Sequence, residues 1–520
     1  MTTGRMGVNM PEAIKLGSER QLFIDDYCIG SLRGTRKRFH QAQKHPANPI
    51  LTPREPWEAS YVQVYGNVLY DPDMQVYRMW YSARYEPDGP GSKYNTVCHA
   101  TSTDGLNWER TPLNRLKHKG LLLSNAVLQG FNVIGPTVFH TPDDPDPGRR
   151  YRMFIYTDAV ILGHPDRTAP FSQHFSVLFS PDGFEWTPYE KNPVVQGGDI
   201  ATCMYDPVTE EYIAFPRIHR DDDGRDRRCV AVSVSKDFLT WLTPNIILSA
   251  DAVDDARVEA RLSRFRNLLV FDDPNFYSAD MQGMTGFRCE GLRLGLIWFY
   301  DRSSRRPQEF KGNDDGILNI QLAYSRNTNP YLGWKRAGDR YDFIPCGAEG
   351  AYDGGCMWTA HAVLERDDEL WFYYTANSHS HGYWPELEAV YGSDMPNSIL
   401  SRKPMLPTSI NLATLRLDGF ASIEALYPPG SMTTKLLTFD GERLVINAYA
   451  EKGHILVELI DHEGKPIPGY TKEESIPFSR DDIRGEVRWK ERSRLSPLRG
   501  KPVHMVFHLK TAQLYSFGVS

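Results

Sequence analysis

The chain has 520 residues, 41% of them hydrophobic and 12% aromatic, with a formal net charge of −7. That length points to more than one domain or to one large repeat array, and an acidic balance without a basic block excludes nucleic acid as an expected partner. No run approaches the roughly 18 apolar residues of a membrane span.

In chain order, residues 1–20 read as a leader without the apolar stretch of a secretory signal. Gln21–Ile29 reads as a strand, expected to close a ring against the last repeat. Then one phrase recurs. Ala100-Thr101-Ser102-Thr103-Asp104-Gly105-Leu106-Asn107-Trp108 is a strand end, an Asp-Gly turn and a Trp that opens the next strand. It returns around Ser180-Pro181-Asp182-Gly183-Phe184-Glu185-Trp186 and Ser235-Lys236-Asp237-Phe238-Leu239-Thr240-Trp241. Weaker copies stand at Ser325 with Trp334 and at Leu415-Arg416-Leu417-Asp418-Gly419-Phe420. Asp-Gly between β-rich runs is a strong hairpin signal, because Gly takes φ > 0 and Asp tolerates it.

Self-similarity of this kind is the mark of arrays and propellers. The expected fold is all-β, a five-bladed β-propeller over 21–426 followed by a β-sandwich over 430–520. Each blade is read as four antiparallel strands from the inside out. The first takes Val62–Tyr70, Tyr77–Ala83, Thr96–Ser102 and Asn107–Thr111; the second Asn132–His140, Tyr151–Thr157, Phe175–Ser180 and a strand from Trp186. The third takes Ile200–Tyr205, Glu211–Pro216, Cys229–Ser235 and a strand from Trp241. The fourth takes Met281–Arg288, Leu292–Tyr300, Leu318–Ser325 and a strand from Trp334; the fifth Cys356–Leu364, Glu369–Thr375, Ile410–Leu417 and a strand from Ala421. The alternative is an all-β sandwich with repeated hairpins. Past the linker Tyr427-Pro428-Pro429-Gly430, the runs Leu444–Asn447, Ile455–Leu459, Glu486–Trp489, Val503–Leu509 and Leu514–Phe517 alternate in the β manner. The seven Cys are scattered without C-x-x-C pairs, which reads as reduced thiols in a cytoplasmic protein.

Propeller hairpins followed by a sandwich resemble the glycoside hydrolase family 32 and 43 group. The tail Val457-Glu458-Leu459-Ile460-Asp461-His462-Glu463-Gly464-Lys465-Pro466, the ending Leu514-Tyr515-Ser516-Phe517 and the N-terminal Leu22-Phe23-Ile24-Asp25-Asp26-Tyr27 are similar to a family 32-like branch. The Trp-x-Asn-Asp-Pro-Asn-Gly phrase of family 32 enzymes and clear Arg-Asp-Pro and Glu-Cys motifs are absent, so the resemblance does not fix fructoside specificity; a fructoside or an arabinoside is among the expected substrates.

The resemblance implies a pocket where the innermost strands start. Strand counting then ranks the residues. Inner-strand starts bring Gln63, Asn132, Asp199, Asp280 and Asp353 to that face, and second-strand ends bring Arg84, Asp158, Arg217, His219, His379 and His381. Trp358, Tyr85 and Trp384 supply ring faces for sugars. Glycosidic cleavage takes a proton donor and a second carboxylate, and crowded carboxylates raise one pKa. Asp199, Asp280 and Asp353 are the expected catalytic set; the other reading of each is a loop cap. Glu290 counts to the opposite face, as do the turn residues Asp104, Asp182, Asp206 and Asp418. His361, His379 and His381 lack the spacing of a metal site, and no cofactor motif is present. The leading function is hydrolysis of a small oligosaccharide. The alternatives are an inverting phosphorylase with an Arg/His phosphate clamp, and a non-catalytic carbohydrate-binding propeller. The composition leaves a homo-oligomer open.

Overall fold

The structure is a computed structural model and describes residues 12–59, 61–85, 94–130, 133–157, 174–222, 224–306, 314–383 and 406–520. Almost all regular structure is β. Five antiparallel sheets follow one another along the chain. The first runs from Val62–Gln63 and Val68–Asp71 through Val76–Tyr85 and Tyr94–Ser102 to Glu109–Arg110. The second comprises Ile134–His140, Tyr151–Tyr156, His174–Ser180 and Thr187–Pro188. The third comprises Ala201–Asp206, Glu211–Asp222, Arg225–Ser235 and Asn245–Leu248. The fourth comprises Ser278–Cys289, Leu292–Ser304, Asp315–Ser325 and Lys335–Arg336. The fifth starts at Met357–Thr359 and Leu364–Arg366 and continues through Glu369–Ala376 and Ser409–Arg416.

Each sheet is joined to the next. Asn67 donates to the Val138 carbonyl and accepts from its amide. Phe139 packs edge-on against Tyr212. Thr202 donates to the Met284 carbonyl at 2.6 Å, and Thr285 to that of Ala360 at 3.0 Å. The Val64 amide returns to Thr375 Oγ1 at 2.8 Å. The fifth sheet therefore meets the first, and the ring is closed.

The closing strand is not the expected one. Gln43–Lys44 forms the outer strand of the fifth sheet, with Lys44 opposite Ala413 and Gln43 opposite Thr414. Gln21–Leu22 instead pairs with Phe517 and Ser516, and Ile29–Arg33 pairs with Gly430–Thr434. The strand from Ala421, expected as the fifth outer strand, pairs with Arg36–Phe39 and with Ala512–Val519. The reason is burial: all five residues of Ala421–Ala425 are enclosed, whereas an outer strand keeps one face wet. These N-terminal strands join the C-terminal ones in two six-stranded sheets. Between the two lies a core of Phe23, Ile423, Met432, Val457, Phe507 and Phe517. The expected strand Glu486–Trp489 begins where the observed strand Asp481–Glu486 ends.

The recurrent phrase has a common chemistry. Ser102 and Asp104 are hydrogen-bonded, and the Asp104 carboxylate accepts the amides of Leu106 and Asn107 at 2.8 Å each. Burial opposes the charge, but those amides hold the Asp104 carboxyl well below the usual range. The Trp108 indole donates to the Gly105 carbonyl at 3.1 Å. The same bonds form around Asp182 and Asp237. The third copy has no glycine, so Phe238 sits at φ 68°. Its fully buried ring packs on Phe139, Tyr212 and Trp241, which offsets the strain. The copy at Asp418 is not an outer hairpin. There the chain leaves the ring for the sandwich, and Asp418 binds Arg20 and Ser516.

The hairpins also dock the sheets. Tyr373 of the fifth sheet donates to the Gly105 carbonyl at 2.7 Å. Trp80 and Arg78 of the first sheet donate to the carbonyls of Gly183 and Asp182 at 3.0 and 2.9 Å. Arg78 is 1% exposed and also binds Asp71, His99 and Tyr151. Breaking a buried pair on one side costs about 3–5 kcal/mol, because the remaining charge is stranded. Arg78→Met is expected to lower stability by that order, read as an earlier urea midpoint by Trp fluorescence; an unchanged midpoint would rule out this joint.

Candidate active site

A cavity of about 200 Å³ opens where the first strands begin and the second strands end. It draws residues from all five sheets. Tyr61, Gln63, Tyr65, Ser82, Arg84 and Asn95 come from the first, and Ile134 from the second. Asp199 and Ile200 precede the first strand of the third sheet, whose next two strands add Arg217 and Arg228. Gln282 comes from the fourth, and Trp358, Asn377, His379 and His381 from the fifth. Such convergence of polar groups in one concave, aromatic-lined site is the pattern of a ligand pocket.

Aromatic rings form part of the wall and its backing. Tyr65 stacks on Trp298 at 5.2 Å and meets Trp358 edge-on at 5.9 Å. Arg84 lies over the Tyr61 ring at 4.6 Å. Several polar atoms on the wall have no hydrogen-bond partner among the described residues: Ser82 Oγ, Gln282 Oε1, Arg217 Nε and Trp358 Nε1. Buried polar atoms are ordinarily paired, so these four are open to a polar partner, water or ligand.

The charges are unequal. Arg84, Arg217 and Arg228 line the cavity, and Asp199 is the one carboxylate among its described lining residues. Asp199 is paired with Arg217. Burial lowers the Arg217 pKa, and Asp199 works against that. Arg228 lies over the Tyr300 ring at 5.3 Å, and its Nη1 stands 3.9 Å from Asp280. Burial opposes the Arg228 charge, but Tyr300, Asp280, Asp314 and Asp199 raise its pKa overall.

No protein-family model matches the chain, and no curated protein sequence does. Solved structures do match. A β-1,2-mannobiose phosphorylase from Listeria innocua is 11% identical with a TM-score of 0.42, covering 72% of this chain and 96% of its own. A putative glycosidase from Bacteroides thetaiotaomicron is 13% identical with a TM-score of 0.41, covering 72% and 96%. A family 32 β-fructofuranosidase from Bombyx mori is 11% identical with a TM-score of 0.38, covering 93% and 94%. At this level of similarity the chemistry rests on the cavity itself.

The expected site residues divide. Gln63, Arg84, Asp199, Arg217, Trp358, His379 and His381 meet in the cavity. His219 lies outside it, beside Asp226. Asn132, Asp158, Trp384 and the Tyr85 side chain lie outside the described residues. The three aspartates expected as one set are not brought together. Asp280 is fully buried behind the wall, hydrogen-bonded to Arg302 at 3.1 Å, and burial raises its pKa against the pull of Arg302, Arg228 and Arg227. Asp353 is buried against Lys44 at 2.5 Å and Tyr374 at 3.3 Å. Both carboxylates are occupied by cations the strand count did not include. Glu290 binds Arg20, from the segment leading into the sandwich, at 2.6 Å. Among the described residues no group of His, Cys, Asp and Glu is placed to hold a metal.

Strand counting did not find Arg228, Gln282 or Tyr65. A signal for Arg228 was present: it shares strand parity with Val230, Val232 and Val234, which face the core. A charged side chain on an apolar face is informative.

His381 is held neutral, at about 3, by burial and by Arg228. Its Nδ1 lies 3.0 Å from the Asp314 carbonyl, which can only accept. The ring proton is therefore on Nδ1, and Nε2 is an acceptor. His361 is likewise held at about 3 by burial. Between its unfolded value of about 6.5 and about 3, the folded state binds fewer protons than the unfolded chain. The His361 contribution is thus complete above about 6.5 and lost as pH falls through about 3. Over that window the loss is about 1.4 kcal/mol per pH unit. His361→Gln is expected to flatten this part of a thermal-unfolding pH series; an unaltered slope would exclude His361 as its source.

Proposed function

We propose that the ring is a five-bladed β-propeller and the chain a carbohydrate-active enzyme that transfers a sugar from a small glycoside to phosphate. One observation carries this reading: three guanidiniums line the cavity against one carboxylate among its described residues. Hydrolysis ordinarily uses two carboxylates, one as acid and one as base or nucleophile. Phosphorolysis needs only the acid, because phosphate is the nucleophile. Arginines on a cavity wall favour an anion, and guanidiniums match phosphate oxygens in pairs.

The sugar ring rests against Trp358, and Gln63, Gln282, Asn377 and the His381 Nε2 meet its hydroxyls. Asp199, as the carboxylic acid, gives its proton to the glycosidic oxygen. The bond from that oxygen to the anomeric carbon breaks, and a phosphate oxygen held by Arg228 and Arg84 bonds to that carbon from the opposite face. The products are an inverted sugar 1-phosphate and the free alcohol; the phosphate proton restores Asp199.

A second reading has its own support. Asp280 Oδ1 has no hydrogen-bond partner among the described residues, and its carboxyl is shifted toward the protonated form. An acid one layer behind Asp199 would serve hydrolysis if Arg228 moved aside.

A panel of neutral disaccharides and acidic glycosides, each with and without inorganic phosphate, separates these readings. Turnover of a neutral disaccharide only with phosphate is expected. Turnover without phosphate would replace the proposal with hydrolysis, and turnover of acidic glycosides alone would assign the arginines to the sugar. Asp199→Asn is expected to lower kcat about 10²–10⁴-fold, the range for lost acid catalysis. Arg228→Gln is expected to raise the KM for phosphate about tenfold or more, the scale of a lost charge-assisted hydrogen bond. Asp280 keeps Arg302 in that variant.

A further inference from the structure

The strand Glu369–Ala376 of the fifth sheet runs into a turn that brings His379, His381 and Tyr383 to the cavity. On one side the turn is fixed by its own sheet. The Asn377 side chain accepts the Cys356 amide at 2.9 Å, and a Cβ on Gly355 would stand 1.8 Å from the His379 carbonyl oxygen. On the other side it is clasped by the fourth sheet. The His381 amide donates to the Gly316 carbonyl at 2.9 Å, His381 Nδ1 to the Asp314 carbonyl at 3.0 Å, and the Gly382 amide to Asp315 Oδ1 at 2.8 Å.

Asp315 is the centre of this clasp. It is fully buried at the start of the strand Asp315–Ser325. Its Oδ1 accepts the amides of Gly316 and Gly382 at 2.8 Å each. Its Oδ2 accepts the amides of Phe271, at 2.8 Å, and Val270. Its neighbour Asp314 binds Arg302, whereas Asp315 pairs with no cation among the described residues. A buried carboxylate without a cation has to be met by hydrogen bonds, and here four backbone amides meet it, two on each oxygen. The approach is close. A Cβ on Gly382 would stand 2.8 Å from Asp315 Cβ, Cγ and Oδ1. One carboxylate thus ties the end of the helical segment before the fourth sheet to the histidine turn of the fifth.

We propose that Asp315 is the positioning residue of this turn, setting the His381 ring, and His379 with it, at the cavity wall. What His381 does for the sugar rests on the reading above; the placing of its ring does not. Around that ring stand the Tyr300 hydroxyl, 3.3 Å from Nδ1, the Trp358 ring, 6.4 Å away, and the charges of Arg228, Arg217 and Asp314. An Asn at 315 would turn its NH₂ toward two backbone N–H donors. It would keep one pair of amides and lose the other, freeing either Gly382 or the seat on Val270 and Phe271.

The test uses the full chain with isotope-labelled histidine rings, followed by NMR, and two variants, Asp315→Asn and Gly382→Ala. The second keeps the carboxylate on Val270 and Phe271 and lifts only the turn, so it carries the test should the first not fold. In the wild type neither His381 nor His361 changes charge over about pH 5–8, both being held at about 3. In either variant the His381 signal, identified by its loss in His381→Gln, is expected to titrate inside that range, toward about 6.5, as water replaces its enclosure. His361 is expected to stay silent and so to report an intact ring. With the disaccharide turned over in the panel, KM is expected to rise about tenfold, the scale of one lost hydrogen bond, with kcat lowered less. A silent His381 in Gly382→Ala would overturn the assignment. So would His381 and His361 titrating together, which would make Asp315 an anchor of the whole ring, or a fall in kcat at unchanged KM. If the wild type turns over no disaccharide, the reading above fails while the histidine spectra still decide the place of Asp315, so the two failures are distinct.

Discussion

Everything at the cavity depends on the closing of the ring. Gln43–Lys44 pairs with Ala413 and Thr414 across most of the chain. Around that short ladder, the Asn48 side chain binds both the amide and the carbonyl of Leu412, and Leu51 pairs with Ile410. Closing a long loop costs entropy, but the cost grows only logarithmically with length. A few enclosed contacts can therefore offset it. The Lys44–Asp353 pair is one of them, with Asp353 2% exposed. Asp353 is the anchor of the closing strand. Without closure the fifth sheet would not meet the first, and Trp358, Asn377, His379 and His381 would not face Gln63 and Arg84.

What could be read in the sequence follows the range of the interaction. The hairpins were legible because their bonds run between neighbours two or three residues apart, as from Asp104 to Leu106 and Asn107. Of the inner strands, those of the second, third and fourth sheets run close to their expected bounds, whereas Val62–Tyr70 and Cys356–Leu364 each break into two, at Val62–Gln63 and Val68–Asp71 and at Met357–Thr359 and Leu364–Arg366. The closing strand was not legible. Gln43 and Lys44 carry no local sign of pairing with Thr414 and Ala413, and the exchange of Ala421–Ala425 into the sandwich is equally non-local. Strand counting also says which end of a sheet a carboxylate occupies, but not which cation waits for it. Asp280 and Asp353 have the right sequence position, and the structure supplies Arg302 and Lys44 beside them.

The same lesson explains the electrostatics of the site. A buried arginine without a counter-charge is costly, yet two strands bring Arg217 and Arg228 to one cavity. The fold meets the cost in layers. Asp199 stands on the wall with Arg217, while the fully buried Asp280 stands behind it with Arg302, which also binds Asp314. Asp280 also raises the Arg228 pKa from behind. Asp280 holds Arg302 from behind and has no exposed surface. The cavity face thus keeps an excess of donors, fixed before any ligand arrives. Charge held in that way, by groups that need not reorganise, is the arrangement that stabilises an anion in the course of a reaction.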